Sequence, residues 1–150
     1  MVVNAEQRQL DAFIDKFSPE VAVRTRVELD RMRALLPCAV EMIYDNYNAL
    51  AIGFGPSERA SDAIFSLAVF PRWVTLFFLQ GARLADPDKL LCGNGTQVRH
   101  IRLANPHRLL SPAVRTLILA ALEGARVPLS PYTKHRVIVK SISAKQRPRR

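Results

Sequence analysis

Between Leu91 and Leu103 the chain reads Leu-Cys-Gly-Asn-Gly-Thr-Gln-Val-Arg-His-Ile-Arg-Leu, a paired-glycine turn set directly before an alternating segment that carries Arg99, His100 and Arg102. Gly93 and Gly95 flank Asn94, and glycines so placed let successive backbone amides turn inward around an anion. The two guanidiniums add positive charge, and an imidazole adds a group able to donate, accept or carry a proton. In a strand the side chains alternate, so Val98, His100 and Arg102 are expected on one face and Arg99 on the other. The expectation is a small polar or anionic ligand site built from Gly93, Gly95, Arg99, His100 and Arg102, with no catalytic residue assigned.

Other chemistry has weaker support. Cys92, His100 and His107 are the soft-ligand candidates closest in sequence, but their spacing matches no zinc pattern and no carboxylate lies among them. Asp11 and Asp15 stand one helical turn apart, where paired acids can meet a hard cation and where solvated acids are also ordinary. No metal ligand is assigned. The chain has no GxSxG elbow, no phosphate-binding GxxxxGK[ST] loop and no HExxH pair, and Gly53-Phe54-Gly55 lacks the third glycine and helix start of a dinucleotide fingerprint. No nucleophile stands beside a base, so a binding protein is expected rather than an enzyme.

Charge offers a second reading. The net charge is +9, yet residues 1–131 hold fifteen basic against thirteen acidic side chains, and residues 132–150 hold seven basic and no acidic ones. A basic segment of this kind can neutralise nucleic-acid phosphates, with Lys140, Lys145, Arg147, Arg149 and Arg150 as the contacts.

At 150 residues the chain fits one domain. A domain of that size buries about 68–70% of its unfolded surface, enough for a core that needs no cofactor, metal or disulfide. Apolar residues make up 49% and charged residues 23%, an ordinary globular balance. No apolar run approaches the roughly 20 residues of a bilayer span. The first residues lack a charged segment followed by an apolar stretch, so the expected compartment is the cytoplasm. Cys38 and Cys92 form no CxxC pair and are expected as small buried or half-buried residues.

These residues need elements to position them. Asn4 can cap a first helix with Leu10, Phe13, Ile14 and Phe17 along one stripe. Ser18-Pro19-Glu20 starts a second, which Pro37 should stop. From Ala39 the period becomes two, and strands are expected near 40–44, 49–54, 64–70 and 73–79, joined as antiparallel hairpins. The last of these is apolar on both faces and is expected to be covered twice. Small residues on its neighbours (Ala49, Ala51, Gly53, Ser66, Ala68) leave room for a helix, a ligand or a second copy in a homodimer. Asp86-Pro87-Asp88 predicts a short helix over 87–92 ending at Gly93. Asn105-Pro106 should break the strand that follows. Ser111-Pro112 predicts a final helix with Val114, Leu117, Ile118, Ala121, Leu122 and Ala125 inward, and 136–143 alternates weakly as an edge strand followed by a flexible end.

In this order the segments resemble the YdhG-like family of small bacterial domains over nearly the whole length. The resemblance is carried by the helical start closing at Leu36-Pro37, the hairpins through Ile52-Gly53-Phe54-Gly55, the segment Phe70 to Gly81, Leu84-Ala-Asp-Pro87, Leu91 to Leu103, and Lys140 to Arg150. It implies an α+β fold, an antiparallel sheet with helices on one face, which agrees with the pattern reading of residues 1–131 as about five to six strands, two N-terminal helices and one C-terminal helix, followed by the basic segment 132–150. Some relatives are described as frataxin-like iron chaperones that deliver iron through acidic surface. Metal carriage is therefore an implied alternative to the polar-ligand and nucleic-acid readings, although this chain has a near-neutral body and no dense acidic ridge.

Overall fold

A computed structural model describes residues 4–150. Helix α1 spans Ala5–Asp15, and the Asn4 side chain accepts from the Gln7 amide at 2.8 Å, satisfying one of the donors left over at a helix start. Helix α2 spans Pro19–Leu35, with Ser18 as cap and Pro19 in the first turn, and Leu36 leaves helical geometry just before Pro37. Helix α3 spans Pro112–Glu123 behind the Ser111 cap and ends at Gly124.

Six strands form one sheet in the order β5-β4-β3-β2-β1-β6. They are β1 (Val40–Asp45), β2 (Leu50–Gly55), β3 (Phe65–Val69), β4 (Val74–Phe78), β5 (Arg99–Arg102) and β6 (Arg136–Ile142). The fold is α+β, as expected. Neighbouring strands from β1 to β5 are antiparallel, but β6 pairs parallel to β1, a departure from the all-antiparallel expectation. Parallel pairing needs a long crossover. Here the chain leaves β5 at one edge, passes through α3 and returns at the opposite edge.

The register aligns Ile43, Ile52, Leu67, Leu76 and Ile101 in one row across five strands, and all five are fully buried. Leu10, Ile14, Leu29, Met32, Val114 and Ile118 from the three helices join that row in a single core. All three helices therefore lie on one face. The double cover expected for β4 is incomplete: Thr75 and Phe77 point to the other face, where Thr75 is buried beside Ala68 and Arg102 and Phe77 is half-buried beside Ser66 and His100, but the helices pack on the opposite side and Trp73 is exposed.

The predicted helix over 87–92 is also absent. The Asp86 carboxylate accepts from the amides of Leu90 (2.9 Å) and Leu91 (2.8 Å), so its capping chemistry is used, but Lys89 takes φ +53° and the chain makes one turn only. Cys92 is already committed to His100 through paired backbone hydrogen bonds of 2.8 and 2.9 Å, which excludes a continuing helix. Cys38 is half-buried, whereas Cys92 is exposed, contrary to expectation, because this bridge holds it at the sheet margin.

Two acids on β1 face the helices. Glu41 is fully buried and receives Arg33 through two hydrogen bonds of 2.7 and 2.8 Å and the His135 Nε2 at 2.5 Å. Asp45 is fully buried between Lys16 Nζ (2.6 Å) and Arg149 Nη2 (2.9 Å). Burial works against both charges, but these partners outweigh it and hold each carboxyl below its ordinary pKa.

Residues 143–150, expected as a flexible end, run back along the β1–β2 turn. The Ser143 amide donates to Asp45 O and the Arg147 amide to Tyr47 O, each at 2.9 Å. Gln146 Nε2 donates to Asp45 O at 3.0 Å, and Arg149 is only 5% exposed.

Asp45→Asn keeps the shape and removes the charge that Arg149 answers, so at neutral pH it should cost about 3–5 kcal/mol in urea unfolding. Because the folded-state pKa of Asp45 is depressed, its contribution is complete above about pH 4, the unfolded value, and is lost as pH falls through the folded value. The stability gap between wild type and Asp45→Asn should therefore close in acid, and a gap independent of pH would contradict the assignment.

Candidate anion-binding site

The turn that opens β5 has the opposite polarity from the one expected. Arg99 Nη1 donates to Gly95 O at 2.6 Å and to Val98 O at 2.9 Å, so carbonyl oxygens surround a guanidinium where amides would have to surround an anion. Gly93 does take a left-handed φ of +115°, but it passes the chain out of the Cys92–His100 bridge rather than ending a helix. A side chain on Gly95 would meet nothing within 4 Å. The glycine that matters to Arg99 is Gly81, where a Cβ would come within 2.6 Å of Arg99 Cβ. In the sequence it looks like any glycine following a strand.

The expected alternation holds: Arg99 and Ile101 share the helix-facing side, and His100 and Arg102 share the open one. His100 lies against Phe77 at 5.4 Å between ring centroids, and no side-chain partner hydrogen-bonds its ring among the described residues. Arg102 reaches a different neighbourhood. Its guanidinium lies over the Trp73 ring, 4.2 Å from the centroid, a cation–π contact, and Trp73 in turn lies against Phe70 at 5.5 Å with the rings tilted by 30°. The five residues chosen from spacing thus separate into three places, and only Arg102 enters a cleft.

That cleft, about 370 Å³, lies between the first turns of α2, the β3–β4 turn and the end of β5. Arg24, Arg72 and Arg102 line it, with Glu20 as the one acid. Arg72 and Arg102 have no carboxylate partner among the described residues. Arg24 donates one Nη2 to Leu103 O, while its Nε is buried with no partner. One turn along α2, Glu28 is buried and its pKa is raised, chiefly by desolvation, against the pull of Arg31 and Arg24. Glu28 therefore answers Arg24 only in part. The start of α2 contributes little, since the Val21 amide is taken by Ser18 Oγ and the Ala22 amide by Ser18 O.

Arg24 and Arg72 were not among the expected site residues. They lie far from Arg102 in sequence, and Pro71-Arg72 reads locally as nothing more than a turn.

The nucleic-acid candidates are largely engaged within the fold. Arg149 is buried on Asp45, and Arg150 donates to Lys16 O (3.2 Å) and Asp15 O (3.3 Å). Arg147 lies over Tyr47 at 5.9 Å and Lys140 Nζ donates to Glu58 O at 2.9 Å, while Lys145 is exposed. Of the metal candidates, Asp15 pairs with Arg26 at 2.7 Å and Asp11 accepts from Gln7 at 3.3 Å. Among the described residues no three His, Cys, Asp or Glu side chains are placed to hold a metal ion. No described helix is long and apolar enough to cross a membrane. Compared with protein families, curated proteins and solved structures, the chain finds no match.

The roles of the two glycines can be separated. Gly93→Ala should cost about 1–3 kcal/mol, because an L side chain at this φ is strained. Gly95→Ala should stay within about 0.5 kcal/mol. Equal losses in chemical denaturation would reject this assignment.

Proposed function

We propose that the protein is a non-enzymatic binding domain for a small oxyanion of the phosphate or sulfate type, taken up in the Arg24–Arg72–Arg102 cleft. One observation carries the reading: two arginines without ion pairs, Arg72 and Arg102, line the same small cleft as Arg24, and the Arg102 guanidinium lies over the Trp73 ring. A planar guanidinium offers parallel donors that match two oxygens of such an anion, and hydrogen bonds to charged groups are the stronger kind. The ligand would reduce the mutual repulsion of the three cations. Two free cysteines, one of them exposed, support a cytoplasmic setting. Kinship with the YdhG-like domains is proposed on the order of the segments alone.

Titration with inorganic phosphate, followed by backbone amide shifts, should move Ser18 to Arg24 and Arg72 to Val74 first. Arg102→Ala should weaken binding by about 10–150-fold, the loss of a charged hydrogen bond worth about 1.5–3 kcal/mol. Arg102→Lys should recover little, because an ammonium neither stacks flat nor donates in parallel. Shifts centred on Gly93 to Arg99, or spread over the surface, would reject the proposal.

A further inference from the structure

A cavity larger than the arginine cleft lies at the other end of β4. Val74 borders the arginine cleft and Phe78 borders this second cavity, so the two are separated by about 13 Å of strand. Its volume is about 880 Å³, within the range of small-molecule sites. Beyond Phe78 the chain folds into a tight 3-10 turn, Gly81–Arg83, and the last turn of α3 stands opposite. That part of α3 presents Ala120 and Ala121, then Gly124 and Ala125, so no large side chain closes the gap.

The lining specifies a chemical class. Ile64, Leu84, Ala121 and Val127 give the cavity aliphatic walls, and its one aromatic, Phe78, is 1% exposed and packed edge-on to Phe65. No aromatic face is open for a base or other flat ring to stack on. Arg59, Arg83 and Arg126 stand around the cavity against a single carboxylate, Asp62. Among the described residues none of these three arginines forms an ion pair; Arg59 Nε donates to Ser61 Oγ at 3.1 Å. Gln80 and Gln97 add neutral donors. One acid cannot hold a metal cation, and three unpaired guanidiniums beside an aliphatic cavity suit an anionic head on an apolar tail.

We infer that this cavity is a second ligand site, separate from the arginine cleft, for an acyl carboxylate: the tail lies between Ile64, Leu84 and the alanines of α3, and the carboxylate meets Arg83 and Arg126. The inference does not depend on the oxyanion reading, since no residue is shared between the two linings.

The test uses the full chain, with octanoate as probe and octanol as its uncharged counterpart. Octanoate should give saturable amide shifts centred on Ile64, Gln97, Ala121 and Gly124, and octanol should bind at least about tenfold more weakly. Arg83→Glu combined with Arg126→Glu alters only exposed positions and should lower octanoate affinity by about tenfold or more. Ala121→Trp should fill the cavity and abolish binding, with urea unfolding verifying that the variant is folded. Arg102→Ala should leave octanoate binding unchanged while it weakens phosphate binding. The inference is overturned if octanoate shows no saturation at millimolar concentration, if octanol binds as tightly, or if the shifts centre on Arg24 and Arg72.

Discussion

Two carboxylates turned toward the helices on β1 constrain much of this fold. Glu41 and Asp45 flank Ile43 in a row that is otherwise apolar, and neither reaches water. A buried carboxylate is tolerated only when cations with good geometry offset its desolvation. The partners of the two acids come from four separate segments: the cations Arg33 near the end of α2, Lys16 just after α1 and Arg149 beyond β6, and the His135 ring just before β6. His135 and Arg149 bracket β6, so the two acids of β1 hold the strand paired with it at both ends. The parallel placement of β6 is thereby fixed by charge as well as by backbone pairing. Lys16 and Arg33 tie the same strand to the ends of the two N-terminal helices.

The same arrangement changes the meaning of the net charge of +9. Arg33 and Arg149 are engaged by the buried acids, and Arg149 and Arg150 also donate to backbone carbonyls of the β1–β2 turn and of the end of α1. Arginines without an ion pair also stand at the two ends of β4, Arg72 and Arg102 on one side and Arg83 and Arg126 on the other. A charge count along the chain sees the basic end first, because it cannot register which cations have already met an acid.

Features that depend on near neighbours were legible in the sequence. Asn4, Ser18 and Ser111 cap their helices because each side chain needs to reach only three residues ahead. The two-residue period located the strands, but periodicity does not say which parity turns inward. On β1 both parities are buried, and the one carrying Glu41 and Asp45 faces the helices, an outcome made possible by partners distant in the chain. Arg24, Arg72 and Arg102 line one cleft for the same kind of reason, through α2 docking beside β4. The Asp86 turn shows a local signal read correctly as chemistry and wrongly as structure: its carboxylate caps amides, yet the bridge from Cys92 to His100 ends the helix before it begins.

The Gly-Asn-Gly turn shows how far spacing carries a functional argument. Glycine permits a chain to reverse with amides inward or with carbonyls inward, and the first binds anions while the second binds cations. The choice lies in successive backbone angles, which glycine leaves open. In this turn only Gly93 takes a positive φ, and the carbonyls of Gly95 and Val98 point at Arg99, whose stem is seated against Gly81. The loop thus receives its cation from within, and its composition alone would serve either polarity. Arg102 escapes this capture because it stands on the opposite face of β5, where its neighbour is an indole rather than a carbonyl. An indole face holds a guanidinium without occupying its N–H donors, and no side-chain hydrogen bond occupies those of Arg102 among the described residues.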